Sequence, residues 1–251
     1  MRHSLLRATL VLAVLALAFP AWAQDETEHI NRVVKLEPGG TLQLKSFSGH
    51  VTITGSDRSD IAIDAIRHAP RERLNRVTLD IRTQGSTVVI EANHHDWSWM
   101  DRDNVVSTDF DIKVPKRTNL DVNVFSSPVE VRGVEGSQRI HTFSARIRLD
   151  DVSGPINAHS FSGPVEIHAV AWQDHQVIDI DTFSGSIDLR IPDTARGSVS
   201  FNSFSGRLTS DVPLTLRTSG RRSVDATLGG GDSTSGSLHL KTFSGNVHIN
   251  R

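Results

Sequence analysis

Histidine and acidic residues are the side chains of this sequence that could bind a metal ion or move a proton. The sequence contains twelve His residues, and the densest group is the segment His-His-Asp-Trp-Ser-Trp at positions 94–99. Two imidazoles and a carboxylate can ligate a transition metal. Adjacent residues of a strand point to opposite faces, so His94 and His95 can reach one ion only from a loop. We favour a polar loop whose Trp97 and Trp99 pack on a terminal cap, and we predict no metal site.

Paired carboxylates suggest a second chemistry, the hydrolysis of polysaccharides. Asp179 and Asp181 stand two residues apart, and a glycosidase needs two carboxyl groups about 5–9.5 Å apart. The sequence contains no nucleophile-elbow, zinc-protease, P-loop or dinucleotide-binding motif. We therefore predict no catalytic residues, no enzyme activity and no cofactor. A polysaccharide-active enzyme is the alternative, and it would lose activity when Asp179 or Asp181 is changed.

Composition excludes further classes of function. The chain has 251 residues, a formal net charge of −2 and no Cys. Without Cys there is no disulfide framework, no Cys-ligated metal site and no Cys nucleophile. A nucleic-acid module would show a clustered basic excess, so we predict no nucleic-acid partner. The length is that of one or two domains.

The first 23 residues have the pattern of a secretory signal peptide. Arg2 and Arg7 form a basic start, positions 10–19 are apolar, and Ala21-Trp22-Ala23 fits the small-x-small cleavage rule. This apolar stretch is shorter than the ~20 residues that span a bilayer. We predict cleavage after Ala23 and no membrane span afterwards. The product would be an extracytoplasmic bacterial protein, periplasmic, at the cell surface or secreted.

A short phrase, Phe-Ser-Gly or a close variant, recurs along the chain with a period near 20 residues. The seven copies begin at Phe47, Phe125, Phe143, Phe161, Phe183, Phe204 and Phe243. Thr218-Ser219-Gly220 lies between the last two and is interpreted as a copy without its Phe. Fixed-period repeats of this length are typical of solenoids, in which each repeat buries its apolar face against its neighbours.

The residues around each copy alternate between apolar and polar, as in a half-buried strand. Each repeat is therefore predicted to be a strand, a Ser-Gly corner and a second strand, with Gly supplying a positive φ at the bend. The Ser or Thr before six of the seven Phe residues shares the inward parity and should bond to the corner backbone. The predicted fold is all-β, a parallel β-solenoid of about seven coils, right-handed by the general preference for such crossovers. An antiparallel β-sandwich is the main alternative.

Residues 54–120 depart from the period and contain alternating segments with hairpin-like turns. They are predicted to form antiparallel strands that cap the first coils, because an open solenoid end is an aggregating edge. The predicted organisation is a signal peptide over 1–23, an N-terminal β cap with the first repeat over 24–119, and solenoid repeats over 120–251.

The column of Phe residues is the ambiguous feature of the repeat. Strict alternation places the rings outside, whereas a corner could turn them inward. The favoured interpretation is a stacked aromatic ladder that caps one edge of the core, and the second is an exposed strip that binds a glycan or a partner. The candidate contact surface comprises Phe143, Phe161, Phe183, Phe204, Phe243, His141, His159 and Asp181.

These features together resemble the DUF4097 family of bacterial β-strand-repeat proteins, which carries the label putative adhesin. The resemblance rests on the signal peptide, the repeated Ser-Gly-x-[Val/Ile]-x-[Val/Ile] phrase, Val114-Pro115 before the first regular coil, and the Gly-rich loop before Ser237. It covers about residues 28–250 and implies an exported β-solenoid, with no known ligand or catalytic residues. This sequence departs from the family in placing Phe before Ser-Gly, where smaller residues are common.

The resulting hypothesis is an exported, non-catalytic β-solenoid that acts as an adhesion or cell-envelope scaffold module. Its partner would be an envelope glycan or an envelope protein. A self-assembling or signalling envelope protein is a further alternative beside the enzyme, and the sequence leaves the oligomeric state open.

Overall fold

The computed structural model describes residues 25–94, 105–230 and 235–251, and most of these residues lie in β-strands. The predicted signal peptide and the predicted loop at positions 95–99 lie outside the described residues. In chain order the elements are β1 (Asp25–Lys35), β2 (Thr41–Ser48), β3 (Val51–Ser56), β4 (Asp60–Pro70), α1 (Arg71–Arg76), β5 (Thr78–Gln84), β6 (Thr87–His94), β7 (Ser107–Pro115), β8 (Asn119–Ser126), β9 (Val129–Arg132), β10 (Gln138–Thr142), β11 (Ile147–Val152), β12 (Ile156–Ser160), β13 (Val165–Ala169), β14 (Val177–Thr182), β15 (Ile187–Arg190), β16 (Gly197–Ser203), β17 (Leu208–Ser210), β18 (Leu214–Ser219), β19 (Ser223–Leu228), β20 (Ser237–Thr242) and β21 (Val247–Asn250).

The strands form two sheets that enclose one core. The first sheet has the order β1-β4-β7-β3-β9-β11-β13-β15-β21-β17, and the second has the order β18-β19-β16-β20-β14-β12-β10-β8-β2-β6-β5. Each turn of the chain places one strand in the second sheet and the next in the first, and we call such a pair a rung. Neighbouring rungs pair in parallel and in register, for example β10 with β12 and β11 with β13. The predicted parallel β-solenoid is therefore confirmed, and the antiparallel sandwich is excluded.

Alternation along the strands builds the core. On β14 the buried positions are Ile178, Ile180 and Thr182, and on β15 they are Ile187 and Leu189. The same positions of the other rungs contribute Val, Leu and Ile to one continuous cluster. Since successive strand residues point to opposite faces, the polar residues between them form outward columns that run from rung to rung.

The rungs do not follow one another in chain order. β6–β7 lies outside β2–β3, and β20–β21 lies between β14–β15 and β16–β17. The segment Thr218-Ser219-Gly220, interpreted from the sequence as a further coil, instead ends strand β18. That strand pairs antiparallel with β19, and β19 pairs antiparallel with β16. The assignment of 218–220 to a coil is wrong, because this segment belongs to an antiparallel hairpin at the end of the second sheet.

Antiparallel strands flank the parallel rungs at both ends of the molecule. At one end β1 pairs with β4, β4 with β7, and β5 with β6. This agrees with the predicted N-terminal antiparallel cap, although β6 and β7 themselves pair in parallel with β2 and β3. No helix among the described residues is long and apolar enough to cross a membrane.

The Ser-Gly corners differ from the prediction in the reason for glycine. Positive φ occurs at Gly49 but not at Gly163, Gly185, Gly206 or Gly245. A Cβ atom at Gly185 would lie 1.9 Å from the carbonyl oxygen of Gly163 on the neighbouring rung. The predicted positive φ is therefore wrong at these four corners, and close approach of the stacked backbones is what requires glycine there.

The inward Ser and Thr residues before each Phe are buried, as predicted. In four of these six residues, the hydroxyl group accepts a hydrogen bond from the N–H of the corner glycine three residues later. The donor-to-oxygen distances are 2.8 Å for Gly163 to Ser160, 2.9 Å for Gly185 to Thr182, 2.6 Å for Gly206 to Ser203 and 2.8 Å for Gly245 to Thr242. These bonds satisfy backbone donors that the bend removes from the strand ladder.

Candidate contact surface

Seven Phe rings form one stacked row along the corner of the solenoid, which we call the Phe ladder. In spatial order the rings are those of Phe47, Phe125, Phe143, Phe161, Phe183, Phe243 and Phe204. Neighbouring ring centroids lie 4.8–4.9 Å apart, with interplanar angles of 1–10°. Each ring is 43–52% exposed. The rings are stacked, and they point outward as strict alternation predicts.

The rung spacing explains this geometry. Parallel strands are about 4.8 Å apart, so identical residues at one position of each rung must stack at that distance. Each ring then covers the face of the next, and the ring edges remain exposed. At one end of the ladder, the guanidinium carbon of Arg222 lies 4.1 Å from the centroid of Phe204. This cation–π contact covers the face of the last ring.

A column of polar side chains runs parallel to the ladder, two residues before each Phe, and we call it the polar column. Strand register orders it as Lys45, Asn123, His141, His159, Asp181, Lys241 and Asn202. Lys241 Nζ lies 3.1 Å from a carboxylate oxygen of Asp181. The column thus offers both hydrogen-bond donors and acceptors beside the aromatic strip.

The two His residues of the column stack on each other. The ring centroids of His141 and His159 are 4.9 Å apart, with an interplanar angle of 2°. Burial, and then the charge of His159, lower the pKa of His141 below its ordinary value. Protonation of His141 is therefore disfavoured.

At the first end of the column, Lys45 Nζ lies 3.0 Å from Glu91. Arg82 lies 2.9 Å from the same carboxylate. The hydrogen bond from Lys45, and then that from Arg82, hold the pKa of Glu91 below its ordinary value. This carboxylate therefore stays charged at neutral pH and neutralises the cationic end of the column.

A groove of about 830 Å³ lies between the ladder and the polar column. Its walls include Phe125, Phe143, Phe161 and Phe183 on one side. The polar residues along it include Lys45, Asn123, His141, His159 and Asp181. A second hollow of about 440 Å³ continues past Phe243 to Phe204 and Arg222. Together they present an apolar wall and a polar floor along most of the solenoid.

The structure brings all eight predicted contact residues to this one surface. Phe47 and Phe125 extend the ladder, and the same Phe-Ser phrase could have added them to the candidate set. Arg222 was missed because it lies on the connection between β18 and β19, outside the repeat. Lys45 could have been found from its position two residues before Phe47.

Two other groups were considered from the sequence, the loop from His94 to Trp99 and the pair of carboxylates Asp179 and Asp181. The predicted loop from His94 to Trp99 lies outside the described residues, apart from the backbone of His94 at the end of β6. Within the described ranges, no group of three or more His, Asp or Glu side chains is placed to hold a metal ion. Asp179 and Asp181 both lie on β14, and Asp181 is paired with Lys241.

Several solved structures match this chain. A "putative cell adhesion protein" of Clostridium sporogenes matches with a TM-score of 0.54 and 10% identity, covering 89% of this chain and 99% of that one. A "putative adhesin" of Bacteroides fragilis matches with a TM-score of 0.38 and 10% identity, covering 89% and 97%. A "putative lipid binding protein" of Parabacteroides distasonis has a TM-score of 0.31 and 12% identity, covering 89% and 96%. At such identities the Clostridium match supports the fold alone.

Sequence comparison gives the family. No curated protein sequence matches this chain. The family model described as Toastrack DUF4097 matches residues 119–250, which is more than half of the chain and includes β8 to β21. The resemblance inferred from the repeated phrase is therefore confirmed, and the chain belongs to the Toastrack DUF4097 family.

Proposed function

We propose that this protein is an exported, non-catalytic module that binds a component of the bacterial cell envelope, as an adhesin or a scaffold. The observation that carries the proposal is the Phe ladder, seven rings in one unbroken row, each 43–52% exposed. Apolar strips of this extent are rare on monomeric proteins and mark contact surfaces. Export is supported by the signal-peptide pattern of residues 1–23.

The shape of the surface favours an extended ligand. The ladder spans about 29 Å from the first ring to the last, since each step equals the strand spacing. The groove beside it is open along its length and crosses five rungs, from Phe47 to Phe183. A polymer lying along the groove would contact ladder and polar column at every rung.

The chemistry of the surface further restricts the kinds of ligand that it could bind. Because the ring faces are covered by neighbouring rings, a ligand meets ring edges, which carry a partial positive charge. Edges favour oxygen atoms and apolar groups over cations. The polar column adds amide, imidazole, ammonium and carboxylate groups for hydrogen bonding. An envelope glycan combines apolar ring faces with many oxygen atoms and fits this pattern, and an envelope protein segment is the second candidate.

The fold neighbour agrees with this proposal in its description. The Clostridium sporogenes structure, which shares the fold over 89% of this chain, is described as a "putative cell adhesion protein". The proposal for the present chain rests on its own ladder, which the fold does not by itself require.

A ladder variant tests the proposal. Phe143→Ser, Phe161→Ser and Phe183→Ser together remove three adjacent rings from the middle of the ladder. The parent protein is expected to bind a subset of a bacterial glycan array and to sediment with envelope fragments. The ladder variant is expected to lose this binding, because the contact strip is interrupted at its centre.

A matched control changes the next outward column of the same strands. Arg139→Ser, Asn157→Ser and Asp179→Ser lie on β10, β12 and β14 in mutual register, away from the ladder. This control is expected to bind as the parent does. Binding by the ladder variant equal to that of the parent would contradict the proposal. Failure of the parent to bind any glycan or envelope fragment would contradict it as well. Release of oligosaccharides during the incubation would favour the enzyme.

A further inference from the structure

The C-terminal rung, β20–β21, lies between two rungs that precede it in the chain. β20 pairs in parallel with β14 on one side and with β16 on the other. β21 pairs in the same way with β15 and β17. We call the space that this rung fills, between β14–β15 and β16–β17, the slot.

Side chains fix the rung to both walls of the slot. Lys241 lies 3.1 Å from Asp181, on the β14 wall. His248 lies between two carboxylates, with Nδ1 3.4 Å from Asp188 and Nε2 3.1 Å from Asp211. The ring of Phe243 stacks between Phe183 and Phe204 at 4.8 Å on each side. The rung is thus held by partners that are distant in sequence.

The two walls and the rung carry the same local structure. In each, a hydroxyl group accepts a hydrogen bond from the corner glycine, at Thr182, Ser203 and Thr242. The stacked corners approach so closely that a Cβ at Gly245 would lie 1.8 Å from the carbonyl oxygen of Gly185. Entry to the slot therefore requires the Phe-Ser-Gly phrase with apolar residues at the alternating positions, as residues 237–250 have it.

We infer that the slot is a binding site for residues 237–250 of a second copy of this chain, so that two molecules exchange their C-terminal rungs. An exchanged pair keeps every contact between rung and slot, because the entering segment is identical to the one that leaves. Exchange of identical elements is a low-cost route to association. The inference is independent of the proposed ligand-binding function.

Trp172 holds the point at which the chain enters the slot. Its indole N–H donates to the carbonyl oxygens of Arg196 at 2.7 Å and Ser235 at 2.9 Å. Its ring lies against Gly236, where a Cβ would be 2.5 Å from a ring carbon. Departure of the rung must break these contacts, so Trp172 should slow the exchange.

Cysteine pairing tests the exchange directly, since the sequence contains no Cys. Asp181 and Lys241 are register partners on β14 and β20, at a strand spacing that permits a disulfide. Asp181→Cys and Lys241→Cys proteins, one of them tagged, are mixed at high concentration, incubated and then oxidised. The expected result is a disulfide-linked heterodimer whose yield increases with incubation time. Adding Trp172→Phe to both proteins is expected to accelerate its formation.

The matched control pairs Asp181→Cys with His159→Cys. These positions are register partners on β12 and β14, in the same polar column, but both strands lie outside the exchanged segment. Mixed control proteins are expected to give only the background of random dimers. A double variant, Asp181→Cys with Lys241→Cys in one chain, should form an intrachain disulfide and, once oxidised, should no longer exchange. A heterodimer yield equal to the control, or failure of the double variant to close, would overturn the inference.

Discussion

At the scale of the residue, the corner of most rungs combines a buried hydroxyl, an outward ring and a glycine. The alternating sequence predicts which of these face inward and which outward, and the structure agrees. The sequence does not show why glycine is required, because the clash that a Cβ atom would make arises between neighbouring rungs. The nearest atom to a Cβ at Gly185 belongs to Gly163, 22 positions earlier in the chain.

The hydroxyl at the corner should stabilise the fold only where it has a partner. Thr182 accepts a hydrogen bond from Gly185 at 2.9 Å, whereas the hydroxyl of Thr142 at the same repeat position is buried without one. Thr182→Val is expected to cost about 1–3 kcal/mol, because a buried N–H loses its acceptor. Thr142→Val should be neutral or stabilising. Urea unfolding of the two variants measures this difference, and equal costs would contradict the assignment.

Close stacking of the rungs predicts that two Gly→Ala substitutions differ in their effect on stability. Gly185→Ala should destabilise the protein by about 1–3 kcal/mol, since the new methyl group meets backbone of the neighbouring rung. Gly220→Ala should be nearly neutral, because its nearest neighbour is the Ser223 hydroxyl oxygen at 3.3 Å. Thermal melts of both variants test this, and a Gly185→Ala protein as stable as the parent would show that the corners are farther apart.

Acidification should weaken the fold through His141. Burial and the neighbouring His159 lower its pKa from the ordinary 6.5, so below that pH the unfolded chain binds a proton that the folded chain resists. The contribution of neutral His141 is fully present above the unfolded pKa and is lost as the pH falls through the lower pKa of the folded state. His141→Asn gives this position the residue type that Asn123 provides on the neighbouring rung. The substitution should reduce the fall in melting temperature between neutral and acidic pH. An unchanged pH profile would contradict this role.

At the scale of the element, the inward rows hold the rungs together. Ile187 on β15 is 1% exposed, whereas Leu216 on β18 is 60% exposed. Ile187→Ala is expected to cost about 2–5 kcal/mol, because it removes buried methyl groups and leaves a cavity. Leu216→Ala should change stability by less than about 0.5 kcal/mol, as an exposed substitution. Chemical denaturation compares the two, and a silent Ile187→Ala would refute the inward assignment.

The strands and the repeat could be predicted from the sequence, but the order of the rungs could not. Alternation and a period near 20 residues identify strands and corners, since each is a local property of the chain. Rung order is set by which repeats pair, and every repeat carries nearly the same phrase. Phe204 follows Phe183 in sequence, yet Phe243 stacks between them. Likewise, local alternation in β18 and β19 does not distinguish an antiparallel hairpin from a coil.

At the scale of the whole molecule, both ends of the solenoid have the same arrangement, in which a rung is inserted inside flanking strands. At one end β4 and β5 form flanking strands, and β6–β7 then lies between them and β2–β3. At the other end β18 and β19 flank β16, and β20–β21 lies inside. Antiparallel pairing at both ends covers the strand edges of the second sheet's outer rungs. The Phe ladder is continuous at this second end only because the inserted rung β20–β21 supplies Phe243 between Phe183 and Phe204.

The order of the rungs decides whether the ladder is one continuous surface, and intrachain disulfide formation measures that order. Two double variants are compared under mild oxidation, Asp181→Cys with Lys241→Cys and Asp181→Cys with Asn202→Cys. Lys241 pairs with Asp181 on one side and with Asn202 on the other, so Asp181 and Asn202 lie two strand spacings apart, about 9.6 Å, beyond the reach of a disulfide. The structure predicts that the first variant closes as a monomer and the second does not. Closure of the second, with the first remaining reduced, would place the rungs in chain order and contradict the account.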